Sequence, residues 1–415
     1  IAYTEAFQVT KNRLYKKVVE ETFDYVKREL TSPEGAFYCG EDADSEGEEG
    51  KFYLWREDEI RELIGGDADL FIKVFNVERD GNFLDEATHK RRGTNILYMR
   101  KTLSELSNEL NMDEAKLQRY IEKCREKLFK YRDKRIKPSK DDKVLTDWNG
   151  LMIASLAIAG RVFNEEKYSK DAKRAADFII EHMRDKDGRL LHRYRDGEAK
   201  IKANIDDYAF FVWGLIEIYE STFELKYLRY AIDINNALIK HFWDDKSGGF
   251  YFTPDDGEEL IVRKKEVYDG AIPSGNSVAM LNLLRLSKMT NNIKLEEMAL
   301  SIGRAFSGVV KKTPSAFSQL MIAVDFSIGP SYEVVVVGEP DKMDTLEMIK
   351  NLRDVFIPNK VVLFRPIDSK DITEIAPFTK YQHSIDGKAT AYVCRNYTCK
   401  EPTTDVTVML KLLQH

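Results

Sequence analysis

Cysteine is scarce in this chain: there are four in 415 residues, Cys39, Cys124, Cys394 and Cys399. Four cannot make a disulfide scaffold at this length, no C-x-x-C pair occurs, and no His stands at zinc-finger spacing from the last two. The expectation is reduced thiols and a cytoplasmic protein with no metal and no cofactor. Long apolar runs are missing too. The longest, "GLMIASLAIAG", is far too short to cross a bilayer, and no signal-peptide pattern is read, so no membrane partner is expected. Excess basic charge is absent: the net charge is −6, which argues against nucleic acid. H-E-x-x-H, G-x-S-x-G, Walker and G-x-G-x-x-G motifs are all lacking, and "VVVVGEPD" offers one Gly after its strand. Metalloprotease, serine-hydrolase, kinase and dehydrogenase readings therefore have no residues to carry them.

What is present is an internal repeat. "FQVTKNRLYKKVVEETFDYVKREL" from Phe7, "GRVFNEEKYSKDAKRAADFIIEHM" from Gly160 and "YESTFELKYLRYAIDINNALIKHF" from Tyr219 each end one helix, turn, and begin another near Tyr15, Tyr168 or Tyr227. The second helix is amphipathic, with Tyr168, Ala172, Ala175, Ala176, Ile179 and Met183 on one face. A Gly-containing turn and an apolar pair follow: Phe37-Tyr38, Leu190-Leu191 and Phe250-Tyr251. A weaker copy starts at Leu286. The first helix of each pair is different. "WNGLMIASLAIAG", "YAFFVWGLIEIY", "NSVAMLNLLRL" and "AFSQLMIAVDF" are apolar nearly all round and so predict burial on every side.

Alternating buried and half-buried helices predict a mainly α fold of two concentric rings, an α/α toroid, over residues 1–330. Inner helices are predicted to begin near Asp147, Asp206, Gly275 and Ser315, with Tyr3 in another and a sixth upstream. The chain opens on "IAYTEAF", which reads as mid-helix, so preceding sequence is expected. An insertion interrupts the period at about 56–120, and "NELNMDEAKLQRYIEKCREKLFKYRDKR" after it reads as an outer helix. Residues 331–415 change texture. "YEVVVVG", a helix and "NKVVLF" read as a βαβ unit of a small parallel sheet, with "ATAYVCRNYT" as a third strand and "TDVTVMLKLLQH" as a closing helix of a small α/β subdomain packed on the toroid.

The candidates for chemistry gather where outer helices run into inner ones. "LTDWNG" places Asp147 and Trp148 at a helix start, "IDDYAF" places Asp206, Asp207 and Tyr208, and "YDGAIPSGNS" places Asp269 and Asn276. N-capping explains one Asp per helix. Asp207 beside Asp206, and Asp269 five residues before Ser274, exceed that need. Carboxylates converging on one funnel raise one another's pKa and divide acid and base roles. Asp147, Asp207 and Asp269 are therefore catalytic candidates, with Trp148 and Tyr208 as stacking faces for a sugar-like ring and Asp206, Asn276 and His192 as binding residues. Trp213, mid-helix, reads as core. Six of the nine residues from Glu41 to Glu49 are acidic. Asp42, Asp44, Glu46 and Gly47 match the opening of an EF-hand loop, but position twelve is Tyr53 where a bidentate Glu belongs. The stretch is either a solvated turn or an acidic lip, with Asp44 catalytic and Asp42 and Trp55 binding. A glycosidase would need two carboxyls facing one cavity, about 5–5.5 Å or about 6.5–9.5 Å apart.

Together "DADSEGEEGKFYLW", "DDKVLTDWNGLMIASLAIAG", "IDDYAFFVWGLIEIYE", "VYDGAIPSGNSVAMLNLLRL" and "CRNYTCKEPTTD" resemble the YyaL-type proteins, which include the spermatogenesis-associated thioredoxin-domain proteins. The resemblance implies a six-hairpin glycosidase-like α/α toroid. It also implies an N-terminal thioredoxin-like domain, absent from this sequence, as the partner in the full-length protein. No catalytic residue carries over from the family. Epimerases of this fold use several barrel histidines, and only His192 is placed for such a role here. Two functions are expected as alternatives: a carbohydrate-binding or carbohydrate-acting toroid, or a non-catalytic client-binding module for the thioredoxin-like domain.

Overall fold

In a computed structural model, all residues except 86–88, 368, 396, 414 and 415 are described. The described chain divides into two compact units: residues 1–39 with 142–415, and residues 40–141. The first unit is the α/α toroid. Its inner helices are α1 (Ala2–Thr10), α3 (Thr146–Phe163), α5 (Ile205–Thr222), α7 (Gly275–Thr290) and α9 (Ser318–Ile328). Their outer partners are α2 (Arg13–Glu29), α4 (Glu166–His182), α6 (Leu225–Phe242) and α8 (Ile293–Val310). Successive inner helices pack side by side, α1 on α3, α3 on α5, α5 on α7 and α7 on α9.

The all-round apolar helices are the buried ones, as their composition predicts. α5 buries Phe210, Phe211, Leu215, Ile216 and Ile218 completely. The outer helix α4 buries the Tyr168, Ala172, Ala175, Ala176 and Ile179 stripe and leaves its charges to solvent. Each hairpin turns by the same device. Lys11, Asn164, Phe223 and Asn291 adopt left-handed φ of 56°, 54°, 57° and 57°, and each donates its N–H to the carbonyl four residues back. That geometry satisfies a free helix-end carbonyl and reverses the chain within two residues. Asn tolerates it; Phe223 is an unusual occupant.

α3 and α5 approach unusually closely. A Cβ at Gly150 would stand 2.5 Å from the Phe210 carbonyl carbon, and one at Gly214 would stand 3.0 Å from the Gly150 carbonyl oxygen. The two helices touch backbone to backbone, which only glycine permits.

A hairpin, β1 (Leu191–Arg195) with β2 (Glu198–Lys202), projects ahead of α5, and β1 also pairs with Val144 and Leu145 just before α3. The C-terminal part of the unit holds β3 (Tyr332–Gly338), α10 (Met343–Asp354), β4 (Lys360–Pro366), β5 (Thr390–Arg395), β6 (Thr398–Cys399) and α11 (Val406–Leu412), in sheet order β4-β3-β5-β6. β3 and β4 are parallel, as a βαβ unit requires, whereas β5 runs antiparallel to β3 and makes the sheet mixed. Residue 396 of the expected third strand and residues 414–415 of the expected closing helix lie outside the described residues. Val334 and Val336 face Met348, Leu352 and Met409, while Val335 and Val337 join the core of the inner helices. Burial on both faces explains the unbroken "VVVV" run.

Cys394 and Cys399 form a disulfide, which corrects the expectation of four reduced thiols. They stand directly opposite each other in the β5–β6 hairpin, with Cα atoms 3.8 Å apart. A spacing of five residues matches no cysteine motif, and only the hairpin register makes it a pair. Cys39 and Cys124 are thiols outside any disulfide.

The second unit has its own core. Trp55, Ile60, Phe71, Val74, Leu117, Ile121 and Leu128 cluster between the helices Glu57–Ile64, Ala68–Val74 and Glu114–Arg132. The segment read from sequence as an outer helix of the ring, Glu114–Arg132, belongs to this core.

Candidate active site

The first turns of α3 and α5 and the β1 strand bring Asp147, His192, Asp206 and Asp207 together. Each comes from a different local rule. Asp147 is the second residue of α3, and its Oδ1 accepts from the Trp148 N–H at 2.8 Å. Asp207 is the third residue of α5, where its carboxylate closes a capping box by accepting from the Asn204 N–H at 2.7 Å. Asp207 is completely buried, and its other oxygen accepts from the Asp147 N–H of the neighbouring helix at 3.0 Å. His192, on β1, points Nδ1 at the same carboxylate, 2.9 and 3.0 Å from its two oxygens. The carboxylate orients the imidazole with Nδ1 as the donor. Nε2 has no hydrogen-bond partner among the described residues.

The electrostatics follow from this crowding. Burial, and then the charge of Asp207, push the Asp147 carboxyl up to about 6. Burial, and then Asp147 and Asp207, push Asp206 up to about 7. The hydrogen bond to Asp207 raises His192 above its usual value. Asp206 rests against the backbone of Gly275 at the start of α7, where any side chain would collide with its Oδ1. Asp147, His192 and Asp207 each offer an atom within 4.8 Å of the others. All the bonds on Asp207 come from N–H donors, so a cation bound through His192 Nδ1 would have to displace the proton that this nitrogen donates. The donor set fits proton transfer better than metal binding. Trp148 lies beside this cluster in sequence and is 46% exposed.

The internal repeat sorts the remaining candidates. Asn149, Tyr208 and Asn276 hold the same place in α3, α5 and α7, and each reaches back to a turn residue. Asn149 accepts from the Phe37 N–H and donates to the Phe37 and Leu145 carbonyls. Asn276 accepts from the Phe250 N–H at 2.8 Å and donates to the Phe250 and Glu266 carbonyls. The Tyr208 hydroxyl accepts from the Leu190 N–H and from Arg189, with the ring 1% exposed and packed on Phe242. Tyr208 therefore presents no stacking face, and Asn276 has no side-chain donor left for a ligand. Asn149, which the sequence did not single out, is their equivalent. Asp269 is spent in the same way. Its Oδ1 accepts from the Ser274 N–H and its Oδ2 from the Gln319 and Leu320 N–H groups, so it caps the start of α9.

Asp42, Asp44 and Trp55 lie in the other unit. Residues Asp44–Ser45 and Glu48–Glu49 pair as a tight hairpin whose turn holds Glu46 and Gly47 at φ of 54° and 76°. Asp42 accepts from the Asp44 N–H and the Ser139 hydroxyl, which lower its pKa. Asp44 lines an open cleft of that unit with Glu46, Lys90 and Arg92. Trp55 is core, 3% exposed, with the Arg135 guanidinium 4.1 Å from its ring centre, which corrects its reading as the inner edge of a binding lip.

No family model matches the chain. Spermatogenesis-associated protein 20 of Homo sapiens is 31% identical over 442 aligned residues, covering 100% of this chain and 56% of that protein. An uncharacterised protein of Caenorhabditis elegans is 28% identical and covers 96% of this chain and 58% of its own length. The chain thus spans little more than half the length of these relatives. Among solved structures, a GH76 alpha-mannanase of Bacteroides thetaiotaomicron aligns over 42% of this chain and 47% of its own, at 19% identity and a TM-score of 0.36. A family 105 glycoside hydrolase of C. acetobutylicum aligns over 76% and 77%, at 16% identity and a TM-score of 0.36. Among the described residues no helix is long and apolar enough to cross a membrane.

Proposed function

We propose that the chain, over the portion it shares with spermatogenesis-associated protein 20, carries a site that binds and acts on a sugar-like polyhydroxylated molecule at the N-terminal rim of the inner helices. The observation that carries the proposal is the pair Asp147 and Asp206. These occupy one repeat position in neighbouring helices, and their carboxyls are pushed up to about 6 and about 7. Such a pair holds one proton near neutrality and divides into an acid and a base. At that pH one carboxyl donates to a leaving or carbonyl oxygen while the other accepts a proton from water or a substrate hydroxyl. His192, with Nδ1 held by Asp207, has Nε2 available for a substrate hydroxyl. Asp207 itself is a positioning residue, since its oxygens serve the backbone of two helices and the imidazole. The exposed face of Trp148 provides the flat apolar surface on which a sugar ring stacks.

Titration of the protein with a panel of mono- and disaccharides and sugar acids tests this. Saturable binding of one member, weakened about tenfold in Trp148→Ala, is the expected result. Turnover of that compound should fall by about two orders of magnitude in Asp147→Asn and Asp206→Asn, the usual contribution of general acid–base catalysis. A panel with no binder, or a binder indifferent to all three substitutions, refutes the assignment.

A further inference from the structure

The toroid holds a second space, lined by none of the rim carboxylates just described. A cavity of about 180 Å³ lies among the later turns of α3, α5 and α7, the flank of α1, and the end of α10 with the segment leading into β4. None of Asp147, His192, Asp206 or Asp207 borders it. It far exceeds the ~10–15 Å³ that holds one water.

Its wall carries charge that folding alone does not balance. Glu217 and Glu220 on α5 are paired already. Arg285 contacts Glu217 at 2.6 Å and Glu220 at 3.3 Å, while Arg161 contacts both at 2.9 Å. The indole N–H of Trp213 donates to Glu217, so a residue read from sequence as core sits on this polar wall. Those four charges cancel. Two further side-chain cations line the same space with no carboxylate within ion-pair distance among the described residues. Arg353 donates to the Glu220 and Ser221 carbonyls at the end of α5. The Lys360 ammonium has one partner, the Ile357 carbonyl, at 3.3 Å. Glu5 also lines the cavity, but burial and then Glu217 favour its neutral form. Burial, followed by the nearby Arg161, pushes Lys360 down to about 8 and Arg353 down to about 10. Half-buried cations without a counter-charge attract an anion. The rest of the wall is apolar, including Ile158, Leu281 and Phe326.

We propose that this cavity is a binding site for a small organic anion, a phosphate ester or carboxylate, whose charged head meets Lys360 and Arg353 and whose carbon body lies on Leu281 and Phe326. The site is independent of the rim chemistry and does not require it.

Calorimetric titration and thermal melting of the whole chain with inorganic phosphate, glucose 6-phosphate, citrate and neutral glucose test it. At least one of the three anions should bind saturably at millimolar concentration and raise the melting midpoint, as ligand linkage requires. Lys360→Met should weaken that binding about tenfold, the loss of one charge-assisted hydrogen bond, and leave the unliganded midpoint unchanged or higher. Asp147→Asn should bind the anion like the parent protein. The proposal is overturned if none of the three anions binds, or if Lys360→Met binds as tightly as the parent. Binding of phosphate and glucose 6-phosphate without citrate would assign a phosphoryl head, and citrate alone a carboxylate head.

Discussion

The carboxylate of Asp207 accepts the backbone N–H of Asp147, sixty residues earlier in the chain. One inner helix thus caps its neighbour as well as itself. α3 has no side-chain cap of its own, and Asp207 supplies one from across the interface while holding Asn204 and His192. Asp207→Ala strands two backbone donors and an imidazole and should lower unfolding free energy by about 3–5 kcal/mol, the cost of breaking a buried charged pair. Urea denaturation measures it. A loss below about 1 kcal/mol would mean that water replaces the carboxylate and that the cap is dispensable.

The two raised carboxyls make stability depend on pH in a definite direction. Both have folded values, about 6 and about 7, above the ordinary aspartate value of 3.8. The folded state therefore holds these protons more tightly than the unfolded chain, and ionisation costs stability. That cost is absent below about pH 4, grows as pH rises, and is complete above about pH 7. His192, also raised, acts with the same sign: its contribution is present below its usual 6.5 and is lost as pH rises through its folded value. Denaturation midpoints should fall between about pH 5 and pH 8, and Asp147→Asn with Asp206→Asn should flatten the fall. An unchanged slope in the double variant would place the titration elsewhere.

The repeat-position clamps should behave alike. Asn149→Ala and Asn276→Ala each leave a buried N–H and carbonyls without partners, for an expected loss of about 2–4 kcal/mol apiece in urea denaturation. Trp148→Ala, on an exposed side chain one residue before Asn149, should change stability by less than about 0.5 kcal/mol while weakening sugar binding.

The thiol count distinguishes the disulfide from the reduced alternative. With four cysteines and one bridge, denatured protein alkylated without reductant should take up two labels, on Cys39 and Cys124, and four after reduction. Native Cys124 should label slowly, because burial raises its thiol pKa. Four labels without reductant would restore the reduced reading.

The inner helices were legible because all-round apolarity has one interpretation, burial, and because the Gly-turn pairs repeat at Phe37, Leu190 and Phe250. The acidic positions 147, 206 and 207 were legible as places, but not their division of labour. Which neighbour a carboxylate reaches depends on the ring, and Asp207 reads like Asp206 until the α3–α5 interface is known. Tyr208 read as a stacking face because it follows two carboxylates, and Asn276 as a binding residue because it starts an inner helix; the turn backbones they hold, at Leu190 and Phe250, are set only by the fold. The second cavity left a signal that went unused: Glu217, Glu220 and Arg285 stand inside otherwise apolar helices, and charges so placed have to be paired or serve a ligand. The disulfide left none, since only a two-strand register makes residues 394 and 399 partners.

Gly150 lies three residues beyond Asp147, and the backbone it touches, at Phe210, lies four beyond Asp206. The spacing of the two acids is thus gauged by main chain resting on main chain, one helical turn below them. Side chains can creep and repack; peptide planes in contact cannot. The gap between the carboxyls works as a fixed calliper, tuned by a residue with no chemistry of its own. A methyl group at 150 would prise the jaws open and move the two carboxyls apart, with every acidic group still in place.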